Sequence, residues 1–212
     1  MKILLFGATG MVGSRIAAEA LRRGHEVTAV SRSGKTPASG EEGGLTAVAA
    51  DASDAGTVTR LAEGHDAVAS ALAPPRDGSA PAEPFLADNR ALIEGVRNSG
   101  VRRLVVVGGA GSLEVAPGTE LVDTPGFPDA YKGEALAHRE VLALYRSVED
   151  LDWTYVSPAP EIGPGERTGT YRLGGDQLLE GGERISAEDY AVAFLDELEK
   201  DAHPRTRVSA AN

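Results

Sequence analysis

The sequence predicts an α/β domain of the doubly wound kind, a parallel sheet of six or seven strands with helices on both faces. Three observations predict it. Short, near-continuous apolar runs such as Ile3-Leu4-Leu5-Phe6 and Leu104-Val105-Val106-Val107 read as strands buried on both sides. Stretches with apolar residues at helical spacing alternate with them. Glycine is abundant, at 26 of 212 residues, without low-complexity repeats, which suits many tight turns between regular elements.

Residues 3–6 form the first strand. Over 11–23, Val12, Ile16, Ala20 and Leu21 fall near one helical face, and Gly24 is a natural stop. A second strand is expected at 27–30, a Ser-, Gly-, Pro- and Glu-rich loop at 33–44, a third strand at 45–50, a short helix at 57–62 and a fourth strand at 66–71. The stretch 72–84 holds four prolines and reads as a loop. A helix over 85–98 turns Leu92, Ile93 and Val96 inward. The β-branched fifth strand is 103–107, followed by an irregular segment over 108–128, a helix over 131–147 and a sixth strand at 153–156. Residues 158–182 are irregular, with a short strand expected near 170–173. Ser186 and Asp189 form a capping box that opens a last helix, apolar along Ala191, Phe194, Leu195 and Leu198. The expected strand order is 3-2-1-4-5-6, with an extra edge strand allowed for. No long linker divides the chain, so 1–212 reads as one domain. In such sheets ligands bind beyond the carboxyl ends of the strands, which makes the long loops after strands four, five and six the expected working parts.

Composition narrows the function classes. Hydrophobic residues are 42% and charged residues 25%, as in a globular protein. There is no cysteine, which removes disulfides, thiolate nucleophiles and cysteine-held metal clusters. Four scattered histidines show no ligand spacing, so no metal site is expected. A net charge of −11 argues against nucleic acid or an anionic membrane as partner. The apolar run 3–6 is interrupted by Gly7, Gly10 and Gly13, so a secretory leader or a membrane span is not expected, and a cytoplasmic location is.

The chemistry is concentrated in Gly7-Ala8-Thr9-Gly10-Met11-Val12-Gly13, which lies directly after strand one and opens helix one. Glycines let the backbone approach a pyrophosphate, and the helix N-terminus offers N–H groups and a positive dipole end. This context points to a dinucleotide site of the Rossmann kind; the plainer alternative is a glycine-rich turn without a ligand. The end of strand two reads Ala29-Val30-Ser31-Arg32-Ser33, with no carboxylate for a ribose 2′-hydroxyl. Arg32 can pair with a 2′-phosphate, which favours NADP(H) and leaves NAD(H) open; otherwise Arg32 is a surface arginine. Asp51, ending strand three, either accepts from the adenine amino group or, like Ser53, caps the next helix. Ala71, Leu72 and Ala73 end strand four, where small residues permit approach of a ribose or simply pack.

The GATGMVGSRI start, the AVSR end of strand two and the VVVGGAGSL segment resemble the NmrA-like, atypical short-chain dehydrogenase/reductase group. The stretches LDWTYVSP (151–158), PGERTG (164–169) and ISAEDYA (185–191) more narrowly resemble bacterial NADH-flavin reductase-like proteins of that group, over nearly the whole chain. The resemblance implies a Rossmann domain with bound NAD(P) and a reductase role.

One departure is informative. Many dehydrogenases of the wider superfamily use Tyr-x-x-x-Lys, with the tyrosine as acid. Here Tyr131 is followed four places on by Ala135, and none of the other four tyrosines has the lysine either. The serine expected just after strand five is replaced by Gly108-Gly109-Ala110-Gly111, with Ser112 slightly beyond. Tyr131, Lys132 and Ser112 are the remaining catalytic candidates, and Gly109 and Pro158 the cofactor contacts after strands five and six. His138 shares a helical face with Tyr131, but a lone histidine is more often structural. Arg167 either binds an anion or makes a salt bridge.

The expected activity is hydride transfer from NADPH to a flavin, quinone or similar conjugated small molecule, with flavin as substrate rather than tightly bound cofactor. The alternatives are a non-catalytic NADP(H)-binding redox sensor and a pathway-specific biosynthetic reductase or isomerase. A monomer or homodimer is expected.

Overall fold

The computed structural model describes residues 1–37, 43–74 and 82–212. The expected loops at 33–44 and 72–84 therefore lie partly outside the described residues. In chain order the elements are β1 (Lys2–Phe6), α1 (Met11–Arg22), β2 (Glu26–Ser31), β3 (Leu45–Ala49), α2 (Ala55–Ala62), β4 (Ala67–Ser70), α3 (Ala82–Ser99) and β5 (Arg103–Val107). There follow β6 (Glu114–Ala116), β7 (Thr119–Glu120), α4 (Asp129–Arg146), β8 (Asp152–Pro158), β9 (Glu161–Gly163), β10 (Arg172–Gly174), β11 (Arg184–Ser186), α5 (Ala187–Lys200) and β12 (Thr206–Ala211).

One sheet of eight strands has the order β10-β12-β8-β5-β4-β1-β2-β3. Every pair in it is parallel except β10–β12. The expected order of the first six strands is met, but the count of six or seven is corrected to eight. The addition that the sequence reading lacked is β12. Its TRVSAA sequence hides a strand, because one face carries Thr206, Val208 and Ala210 while the other carries Arg207, Ser209 and Ala211, so neither face is strongly apolar. The short expected strand near 170–173 is β10, the antiparallel edge.

Alternate residues of each central strand serve two cores. Ile3, Leu5, Val27, Ala29, Val105 and Val156 face α1 and α5. Leu4, Phe6, Val30, Leu104, Val106 and Tyr155 face α2, α3 and α4. Burial on both sides is why these strands read as continuous apolar runs. Asp54, not Asp51 or Ser53, caps α2, accepting from the Gly56 N–H at 3.1 Å. No helix among the described residues is long and apolar enough to cross a membrane.

Helices α2 and α3 cross without space between them. A Cβ placed on Gly95 would lie 2.4 Å from Val58 Cβ. Gly95→Ala should therefore destabilise by about 1–3 kcal/mol through overpacking, even though alanine is the better helix former by ~1 kcal/mol. Adding Val58→Ala should recover part of that loss; additive losses in urea unfolding would show that the contact is not the cause.

Candidate active site

The carboxyl edge of the sheet holds a cleft of about 1310 Å³. Its floor is the start of α1, the segments after β4 and β5, and the end of β8; α4 and the β9–β11 pair form its flanks.

The glycine loop is shaped by contact. Gly7 has φ +74°, and a Cβ on it would lie 2.4 Å from the Ala71 carbonyl oxygen. A Cβ on Gly13 would lie 2.1 Å from the Gly7 oxygen. Both positions exclude any side chain. Gly10 is the N-cap of α1, with no capping side chain and no acidic residue in the first turn. The positive end of that helix therefore meets the cleft at Gly10, Met11 and Val12. An uncapped helix end in a cavity of this size fits a dinucleotide pyrophosphate. Ala8 is buried in the core, and Thr9 is exposed. Ala71, Leu72 and Ala73 line the cleft beside this loop, as do Gly109 and Pro158.

Arg32 and Asp51 come together outside the cleft lining, beyond the ends of β2 and β3. Arg32 is exposed in a turn closed by the Gly34 N–H donating to the Ser31 oxygen at 3.2 Å. Asp51 accepts from the Ser53 N–H at 3.0 Å. Those hydrogen bonds from Ser53, with help from Arg32, hold its carboxyl below the usual range. Asp88 on α3 is the third member; burial and the charge of Asp51 push its carboxyl up, with Arg32 opposing.

The catalytic candidates separate. Tyr131 lines the cleft from the first turn of α4 and is 61% exposed. Lys132 is exposed beside it and is not a lining residue. Ser112 is buried, and its hydroxyl and carbonyl oxygens both accept from the Arg207 guanidinium at 3.0 Å. It does not line the cleft. The Gly108–Gly111 turn packs tightly at each glycine. Added Cβ atoms would lie 2.2 Å from the Tyr155 ring at Gly108, 2.8 Å from His138 at Gly109 and 2.5 Å from Ala135 at Gly111. His138, on the inner side of α4, is held by its neighbours. It lines the cleft while 5% exposed, its Nδ1 lies 3.1 Å from the Tyr155 hydroxyl, and its ring meets Phe85 edge to face at 5.0 Å.

The PGERTG (164–169) and ISAEDYA (185–191) stretches form one hydrogen-bonded unit at the cleft rim. Glu188 accepts from the Gly165 N–H at 2.8 Å and pairs with Arg15 of α1 at 3.1 Å. Ser186 donates to the Glu166 oxygen at 2.8 Å. Asp189 accepts from Thr168 Oγ1, the Gly169 N–H and Asn212 Nδ2 at 2.6, 2.7 and 2.9 Å. Arg167 grips buried Glu19 through two contacts of 2.9 Å, so it is a structural clamp. Sequence reasoning missed Asn212, whose side chain also accepts from the Ser186 N–H. No local signal marks it.

Burial works against ionisation of Asp189, but its hydrogen bonds outweigh that and its carboxyl titrates below the usual range. The stability it contributes is present above the carboxylate range and is lost as pH falls through the depressed value. Asp189→Asn should cost about 2 kcal/mol at neutral pH and less at about pH 3. A penalty that does not shrink with acid, measured by urea unfolding, would refute this account.

The family model described as NAD(P)H-binding matches residues 7–201. A provisionally named exported protein from Burkholderia pseudomallei is 52% identical over the full length of both chains, with a TM-score of 0.89. A provisionally named epimerase from Bacteroides thetaiotaomicron is 40% identical, over 99% of this chain and 96% of that one, at TM-score 0.87. A provisionally named NADH-flavin reductase from Streptococcus pneumoniae TIGR4 is 34% identical, over 100% and 99%, at TM-score 0.81. The uncapped glycine loop and these matches agree: the chain belongs to the NAD(P)H-binding family, in keeping with its resemblance to the NmrA-like, atypical short-chain dehydrogenase/reductase group.

Proposed function

We propose that the chain is an NAD(P)H-dependent oxidoreductase that delivers hydride to a flavin or similar conjugated acceptor, with NADP(H) favoured and the flavin as substrate. The carrying observation is what stands where a proton donor is needed. A ketone becomes an alkoxide on taking hydride and requires an acid in reach. Here Ala135 occupies the position four residues after Tyr131, and Gly111 packs directly on it. Ser112 is turned into the protein toward Arg207. A flavin or quinone spreads the incoming charge over its rings and can take its proton from water. The 34% identical Streptococcus relative supports the same class by its name.

When bound, the reduced nicotinamide supplies the hydride. The chain's own share is binding and placement. Gly7, Ala8, Thr9, Gly10, Met11 and Val12 would hold the pyrophosphate, Arg32 the 2′-phosphate and Asp51 the adenine. Ala71, Leu72 and Ala73 would border the ribose, and Gly109 and Pro158 the nicotinamide. Tyr131 offers the acceptor an aromatic face, with Lys132 beside it. A cytoplasmic location belongs to this reading, since a reducing compartment suits a chain without cysteine. A second reading, an enzyme dedicated to one metabolite, is favoured by the name of the 40% identical epimerase relative.

Initial rates of NADPH oxidation with FMN, FAD, riboflavin and a quinone separate the two. Turnover well above the protein-free rate with these acceptors is expected; none, with NADPH binding intact by fluorescence, would sink the flavin reductase and leave the dedicated enzyme. Arg32→Ala should weaken NADPH roughly 10-fold or more, because it removes a charge-assisted contact, and NADH far less. Equal losses for both donors would take the 2′-phosphate away from Arg32.

A further inference from the structure

The β9–β11 flank of the cleft is a sheet of its own, separate from the eight-stranded sheet. Asn212, directly after β12, joins the two. Its N–H donates to the Arg184 oxygen of β11 at 2.9 Å. Its backbone oxygen accepts from the Arg172 guanidinium of β10 at 2.9 Å. Its Oδ1 accepts from the Ser186 N–H at 3.0 Å. Its Nδ2 donates to the Thr170 oxygen at 2.8 Å and to Asp189 Oδ2 at 2.9 Å.

The side chain therefore meets one partner that only donates, a backbone N–H, and two that accept, a carbonyl and a carboxylate held ionised by its hydrogen bonds. A carboxamide supplies one acceptor and two donors in a single planar group. A carboxylate lacks the donors, and a hydroxyl has only one. The contacts thus select an amide and fix which way it faces. Asn212 is exposed and lines the cleft, so water could satisfy its own groups. What the contacts fix is the neighbours. Asp189 holds Thr168 and Gly169, and Ser186 holds the Glu166 oxygen while capping α5. Asn212 closes this ring of contacts from the 164–170 segment back to β11. Ile162, Pro164, Ile185 and Ser186 line the cleft on the pieces so joined. The proposed function gives none of them to the cofactor.

Resting on that reading, we propose that Asn212 is the positioning residue of the acceptor subsite: it sets the spacing between the 164–170 segment and β11, and with it the shape of the wall that receives the acceptor ring. A rigid ring senses that spacing directly, because a gap of about 0.5–1 Å forfeits a quarter to a half of a contact's attraction.

The test is initial-rate kinetics with NADPH and the fastest of FMN, riboflavin and a quinone, with folded protein counted by the stoichiometry of NADPH binding. Asn212→Asp removes both donors and sets a carboxylate against Asp189 at nearly constant volume. The acceptor KM should rise about 10-fold, with kcat per folded molecule and NADPH affinity each held within about 2-fold. Adding Asp189→Asn returns one amide and one carboxylate to the pair in reversed order, and should recover about 3-fold or more of the loss. Asn212→Ala, a truncation at an exposed position, should raise KM about 3-fold or more even if Asn212→Asp fails to fold. A merely structural residue would lower the folded fraction and leave KM alone, and that result would overturn the proposal. So would a rise in KM that the paired exchange does not relieve. Fluorescence titration of NADP⁺-saturated protein with the same three acceptors separates the two readings. Ring binding that Asn212→Asp weakens, without turnover in the unaltered protein, would overturn the reductase and uphold the role of Asn212. Neither turnover nor ring binding would overturn both.

Discussion

The approach of the β1–α1 turn to the end of β4 is the constraint on which the carboxyl edge depends. At Gly7 and Gly13 a single added carbon would meet a backbone oxygen or carbon, so the turn closes only as bare backbone. That closure brings the uncapped end of α1 to the point where the strand order reverses, with β2 and β3 on one side of β1 and β4 and β5 on the other. A crevice opens at such a reversal because successive connections leave in opposite directions. The same device recurs after β5. Gly108, Gly109 and Gly111 bring a second stretch of backbone against Tyr155, His138 and Ala135. The cleft is therefore floored by main chain, and specificity falls to the side chains along its rim.

The rim is held by carboxylates. Glu19, Glu188 and Asp189 each organise donors from the 164–169 segment, and Asp189 and Glu19 are nearly fully buried. A buried carboxylate is stable only when its lone pairs are occupied, and here backbone N–H groups, a hydroxyl, an amide and guanidinium groups occupy them. The segment carries almost no regular structure, yet it is anchored at Gly165, Glu166, Arg167, Thr168 and Gly169. This explains how an irregular stretch forms a defined wall.

What was legible in the sequence followed from range. The first six strands of the sheet, the glycine loop and the Ser186 capping box were readable because each depends on residues within one element or its immediate neighbours. β12 was not, because its polar face is completed by distant partners: Arg207 reaches Ser112 and Asp176. The role of Arg167 stayed undecided until Glu19, far away in sequence, came beside it. The cap of α2 was misplaced by a few residues, since Asp51, Ser53 and Asp54 are all competent and only backbone geometry selects among them. His138, a lone histidine, carries no local signal of its position. Its place in the cleft comes from the fit of α4 against the glycine turn, which no local pattern encodes.

An acidic chain that binds an anionic dinucleotide must create positive potential locally. Two sources meet that need in the proposed reading, the open N-terminus of α1 and Arg32. The first is a property of the backbone, independent of side-chain charge. The second is tempered: Asp51 and Asp88 both interact with Arg32, and Asp88 is half-buried, with its carboxyl pushed up by that burial and by Asp51. Each carboxylate offsets part of the attraction that Arg32 offers a 2′-phosphate. Discrimination between the two nicotinamide cofactors then depends on a difference of opposing charges rather than on one dominant contact. Protonating Asp88 would remove one of the opposing terms, whereas a 2′-phosphate, with its second pKa of about 6, itself gives up charge as pH falls, so the two titrations act in opposite directions on cofactor preference. The pyrophosphate interaction, carried by backbone N–H groups that do not titrate there, should hold across the same interval.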